Sequence, residues 1–149
     1  MINKLKITGY AAIFRTPYSD GDIIEPGAFK EAVANFLAGE DLPVLYGFDS
    51  KNGVVAKVAD MEEDAIGLKV SFTIPEELDG NNEAVPMLVQ RGSLSDLSIG
   101  YRVGKKDNRS EGSRPTLKDI DLFSIGLVHN SSHPNTKILE VQKVKRRKD

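Results

Sequence analysis

The chain contains no cysteine. Disulfide bridges, thiolate metal sites and cysteine nucleophiles are therefore excluded, which fits a reducing cytoplasm without requiring one. No apolar run approaches the roughly 20 residues a membrane-spanning helix needs. The opening MINKLKITGY has no long apolar segment behind its lysines, so neither a secretory signal nor a membrane contact is expected. A strong charge of either sign is also missing. The net charge is −2, and the body of the protein exerts no global pull on nucleic acid. Histidine is scarce: His129 and His133 are the only two. Two histidines in one loop without a nearby acidic ligand make no zinc site. Asp20-Gly21-Asp22 starts like a calcium loop, but the remaining ligands do not follow, and a turn is the reading. No metal and no cofactor are expected.

What is present is ordinary for a globular protein: 149 residues, 40% hydrophobic and 28% charged. That length suits one domain with a core of its own, and no internal repeat or linker divides it. We assign residues 1–142 to the domain and 143–149 to a basic tail. Within Lys143-Val144-Lys145-Arg146-Arg147-Lys148 five of six residues are basic. A solvated, frayed terminus is the plain reading; an electrostatic tether to an acidic surface or to DNA is the sharper one.

Alternation marks the strands. Ile66, Leu68, Val70, Phe72 and Ile74 are apolar and the residues between them are not, a period of two that reads as a half-buried strand. Residues 53–61 precede it, with Glu62-Glu63-Asp64 as the hairpin connection. Further strands are expected at 5–14, 97–103, 117–128 and 138–144. Phe29, Ala32, Val33, Phe36 and Leu37 repeat at helical spacing, with Pro26 in the first turn and Gly39 as the stop. A second helix is expected over 82–91, ending at Gly92; Pro86 is compatible with it only in the first turn. The polar stretch 105–115 reads as a surface connection. The class is α+β: a mostly antiparallel β-barrel with flanking helices.

The chemistry centres on Ser98. In the strand at 97–103, Leu97, Ile99, Tyr101 and Val103 share one face and Ser98, Gly100 and Arg102 the other. In the strand at 122–128, Phe123, Ile125 and Leu127 share a face, opposite Leu122, Ser124, Gly126 and Val128. Small residues on two neighbouring strands leave a shallow cleft around Ser98. It admits an extended peptide or marks a close approach of another element. A strand serine is inert unless a base, usually histidine, takes its proton and a third group orients that base.

Several segments, in order, resemble phage prohead serine proteases. They are GYAAIF at 9–14, DGDIIEPGAF at 20–29, LPVLY at 42–46 followed by GVV at 53–55, and GLKV at 67–70. GSLSDLSIGY at 92–101 follows, then DLF at 121–123 with Leu127, Val128 and Pro134. The resemblance implies a fold like that of herpesvirus proteases, a β-barrel surrounded by helices. It also implies that Ser98 is the nucleophile. The family's histidine, in a segment of apolar run, aromatic, any residue, then His-Asp, falls on Phe48 of Leu45-Tyr46-Gly47-Phe48-Asp49. The acidic third member falls on Ser124.

Both positions depart from the pattern. A phenyl ring accepts no proton, and loss of triad members in serine hydrolases costs on the order of 10⁴ to 10⁶ in kcat. The possible substitute base is His129; Asp49 and lysines stay open by geometry. Surface positions in a polar loop are the plain reading of both histidines. The expectation is a pseudoprotease that serves as a structural or assembly component of a phage prohead or virion, built in the host cytoplasm. The alternative is an active protease that cleaves capsid and scaffold proteins during maturation. Expected partners are capsid, scaffold or other virion proteins, in a homo-oligomer or larger assembly.

Overall fold

A computed structural model describes residues 3–103 and 116–145. The connection expected at 105–115 and tail residues 146–149 lie outside the described residues.

Apolar alternation becomes a curled sheet. Strands β1 (Lys4–Ile13), β3 (Pro43–Tyr46), β4 (Val54–Glu63), β5 (Gly67–Pro75), β6 (Asp96–Val103), β8 (Ile120–Val128) and β9 (Ile138–Val144) form one seven-stranded sheet in the order β6-β8-β3-β4-β5-β1-β9. β3 runs parallel to β8 and the other five pairings are antiparallel. The expected antiparallel barrel is thus a mixed sheet. Its curl brings the two edge strands together at one end. Asp96 bridges Lys137, Leu97 N–H donates to Thr136 O at 3.0 Å, and Ile138 N–H donates to Ser95 O at 2.8 Å. A two-stranded parallel ribbon, β2 (Ile23–Ile24) and β7 (Thr116–Leu117), lies beside it. The strand expected over 117–128 is therefore two elements.

The inward row of β5, Leu68, Val70, Phe72 and Ile74, is buried at 0 or 1% exposure. It meets Leu5, Ile7, Val44, Leu97, Ile125 and Leu127 in one core. Each such side chain contributes about 1.5–3 kcal/mol by leaving water. Ile66, at the start of the same alternation, is exposed because β4 runs on to Glu63 and the turn falls at Asp64–Ile66. Asp64 Oδ1 fixes that turn by accepting the Ile66 and Gly67 N–H groups at 2.8 and 3.0 Å.

Helix α1 (Lys30–Leu37) ends before Gly39 as expected. Only part of its face is covered. Phe29 is fully buried at the N-cap, Ala32, Val33 and Phe36 are half-buried, and Leu37 is exposed. Helix α2 (Val85–Gln90) follows a short 3-10 turn at Gly80–Asn82. Pro86 sits in its first turn, where a missing N–H costs nothing.

Candidate functional site

The site grows from the register of β6 against β8. Leu97 faces Leu127 and Ile99 faces Ile125, all four buried, on the core side. On the other side Ser98 faces Gly126 and Gly100 faces Ser124. Beyond Gly100 the register slips: Tyr101 faces Leu122, and Phe123 is the extra residue of a β-bulge. The bulge turns Leu122 inward and Phe123 out to 51% exposure, the reverse of simple alternation. Phe123 instead stacks under the Arg102 guanidinium, 5.2 Å from the ring centroid, while Arg102 Nε lies 3.5 Å from Asp121 Oδ2. Tyr101 and Val103, expected on the core face, are exposed beyond the bulge.

Phe48 projects onto the Ser98 side from the turn that ends β3. Gly47 and Phe48 both have φ 63, and Asp49 N–H closes the turn on Tyr46 O at 3.3 Å. Asp49 Oδ1 accepts the N–H groups of Lys51 and Asn52 at 3.0 Å each. That carboxylate is committed to its own loop. The Phe48 ring lies directly on Gly126: a Cβ there would overlap three ring carbons, and one at Gly100 would overlap Ser124 Oγ and stand 3.5 Å from the ring edge. Ser98, Phe48 and Ser124, singled out separately in the sequence, thus surround the same pair of glycines. The cleft foreseen around Ser98 is where the turn packs closely.

Toward the ribbon, Ser98 borders a small cavity of about 40 Å³ shared with Tyr18, Asp20, Asp22, Tyr101 and Ser132. Burial pushes the Tyr18 phenol up to about 12, against the lowering effect of the Ile13 N–H that it accepts at 2.9 Å. Burial, then Asp22 and Asp20, raises Tyr101 as well. Both phenols stay protonated at neutral pH and offer no base. The larger hollows, under α1 and beside β9, lie away from Ser98.

Neither histidine reaches the serine. His129 is exposed, with Nε2 3.1 Å from the Tyr46 hydroxyl and the rings edge to face. Tyr46 pairs with Leu127 and so belongs to the core side of β8. His133, expected on the surface, is 3% exposed. Its Nδ1 accepts Asn135 N–H at 3.0 Å, so Nε2 carries the proton and donates to Thr16 Oγ1 at 2.7 Å. Burial lowers its pKa and keeps it neutral. Among the described residues no side-chain hydrogen bond joins Ser98 to an imidazole or carboxylate, and no cluster of three metal-ligating side chains occurs.

Asp96 was not singled out in the sequence, although it stands two residues before Ser98. Its Oδ2 accepts Ser131 N–H at 3.1 Å and pins the segment after β8 against β6. Only its position within the GSLSDLSIGY segment could have drawn notice to it.

The curled, mixed sheet with two outer helices has a fold like that of a herpesvirus protease. The varicella-zoster virus protease superposes with a TM-score of 0.57 over 95% of this chain and 64% of its own, at 17% identity, which is a likeness of fold. The family described as Caudovirus prohead serine protease matches residues 2–148, and the chain belongs to it. The prohead protease of Enterobacteria phage HK97 is 33% identical over 99 residues, 66% of this chain and 43% of that protein. The chain thus spans less than half the length of that curated relative.

Proposed function

We propose that this protein is a prohead protease-like pseudoenzyme, an assembly or structural component of a phage prohead or virion whose serine is not activated. The observation that carries this reading is the Phe48 ring, seated on Gly126 across from Ser98 where the family resemblance calls for a proton acceptor. A neutral hydroxyl beside a hydrocarbon ring is a poor nucleophile. Ser124 in the acidic position could not orient an imidazole by charge even if one were supplied. The engagement of Asp49, His129 and His133 elsewhere supports the same reading. Capsid or scaffold proteins in the host cytoplasm are the proposed partners, reached through the retained fold.

A second reading keeps the protease active. It is favoured by the retention of Ser98, half-buried beside a small cavity. A serine-directed fluorophosphonate separates the two. The pseudoenzyme stays unlabelled under conditions that label an active serine hydrolase completely. Stoichiometric labelling that disappears in Ser98→Ala would defeat the proposal.

A further inference from the structure

β9 is the last strand of the sheet and pairs on one side only, with β1. Its other side meets β6 at the start alone, through the Ile138 N–H and the Asp96–Lys137 bridge. Past that point, among the described residues, nothing pairs with it. Unpaired edge strands are templates for another strand, and proteins usually blunt them with proline, charge or a covering element. Here residues 138–144 contain no proline. Leu139, Val141 and Val144 are 58%, 37% and 39% exposed. A groove of about 320 Å³ runs alongside, walled by Val89, Arg91 and Leu94 on one flank and by Ile138, Leu139 and Val141 on the other.

Charge selects the occupant. Arg91, Lys137 and Lys145 flank this edge, with no ion-pair partner among the described residues, while Lys143 is paired with Glu76 at 3.1 Å. Glu140 is the one acidic residue of the strand. A second copy fits poorly. Two-fold antiparallel pairing centred on Val141 sets Lys145 against Lys137, and pairing centred on Glu140 opposes the two glutamates and sets Lys143 against Lys137. Like charges directly opposite are destabilising. Centring on Gln142 sets lysines against Val141 and Leu139.

We infer that the free edge of β9 docks an extended segment of a partner protein, apolar at its middle and acidic toward both ends, which adds to the sheet as an eighth strand. Main-chain hydrogen bonds would hold it, the apolar residues would cover Leu139 and Val141, and its carboxylates would meet Arg91, Lys137 and Lys145.

The test is an NMR titration of the isotope-labelled full chain with capped octapeptides at millimolar concentration, one carrying four central valines between pairs of glutamates, the other the same valines between pairs of lysines. The acidic peptide is expected to shift resonances and slow amide exchange at residues 138–144 and 89–91. The basic peptide should leave them unchanged. Charge reversal at two exposed positions, Arg91→Glu with Lys137→Glu, should weaken the acidic peptide about tenfold or more. Equal binding of both peptides, perturbation mapping elsewhere, or no response to the acidic peptide would overturn the assignment. So would a concentration-dependent dimer protecting the same amides without peptide, which would make the occupant a second copy.

Discussion

Phe48 occupies left-handed backbone space that a bulky side chain enters at a cost of about 1–2 kcal/mol. The cost is offset locally because Gly126 leaves room for the ring. The two positions should therefore behave as a unit. Gly126→Ala forces a methyl into the phenyl ring and is expected to destabilise the protein by about 1–3 kcal/mol in urea unfolding. Adding Phe48→Ala should return part of that loss, and additive effects of the two changes would mean the ring does not rest on the glycine. Ser124 makes a related case. It is 5% exposed beside Gly100, which the ring edge also approaches, so Ser124→Glu alone would bury a carboxylate without a partner and lower the melting temperature. Combined with Phe48→His, the glutamate gains a cationic or hydrogen-bonding neighbour. The double variant is expected to melt above Ser124→Glu alone, and the reverse order would place the two side chains apart.

Helix α1 shows how much an element can depend on a distant residue. Its N-cap, Phe29, supplies no side-chain acceptor. The carboxylate of Glu63, at the end of β4, does so instead by accepting the Gly27 and Phe29 N–H groups at 3.1 Å each. A negative charge there also suits the helix dipole. Glu63→Ala is expected to cost about 1–2 kcal/mol and to speed amide exchange along α1 before the sheet is affected. Unchanged exchange in α1 would show that the cap is ornamental. This cap was not legible in the sequence, where Glu63 reads only as part of a hairpin connection. Period and punctuation did reveal the inward rows of β5 and the first half of β6 and the stops of α1 and α2, though α2 starts at Val85 rather than at residue 82. They missed what long-range contact decides: the bulge that turns Phe123 outward, the parallel pairing of β3 with β8, and the exposure of Leu37. At the candidate site, the motif resemblance drew Ser98, Phe48 and Ser124 to one place, and the register sets them around Gly100 and Gly126. The burial of His133 had no local signal, because its partner Thr16 lies 117 residues away.

At the scale of the whole molecule, the seam between the first and last strands of the sheet depends on residues 131–136. Ser19 N–H donates to Ser132 O, Thr136 N–H and its hydroxyl both donate to His133 O, and Leu97 N–H donates to Thr136 O. His133 sits at the centre of this knot, neutral and depressed below its ordinary 6.5 by burial. Above pH 6.5 folded and unfolded chains both hold the neutral ring, so its contribution to stability is full. As pH falls below 6.5 the unfolded chain takes up the proton first, and stability is lost until the lower folded pKa is reached. Asp64 does not confuse this window. Burial works to raise its pKa, but the Tyr10 hydroxyl and the Gly67 and Ile66 N–H groups outweigh it and hold the carboxyl below 3.8, so it stays ionised in both states above pH 5. The melting temperature is therefore expected to drop between pH 7.5 and 5, and the drop should be smaller in His133→Gln, which keeps a polar group against Thr16 but does not titrate. An identical slope in the variant would move the pH sensitivity of the seam to another group.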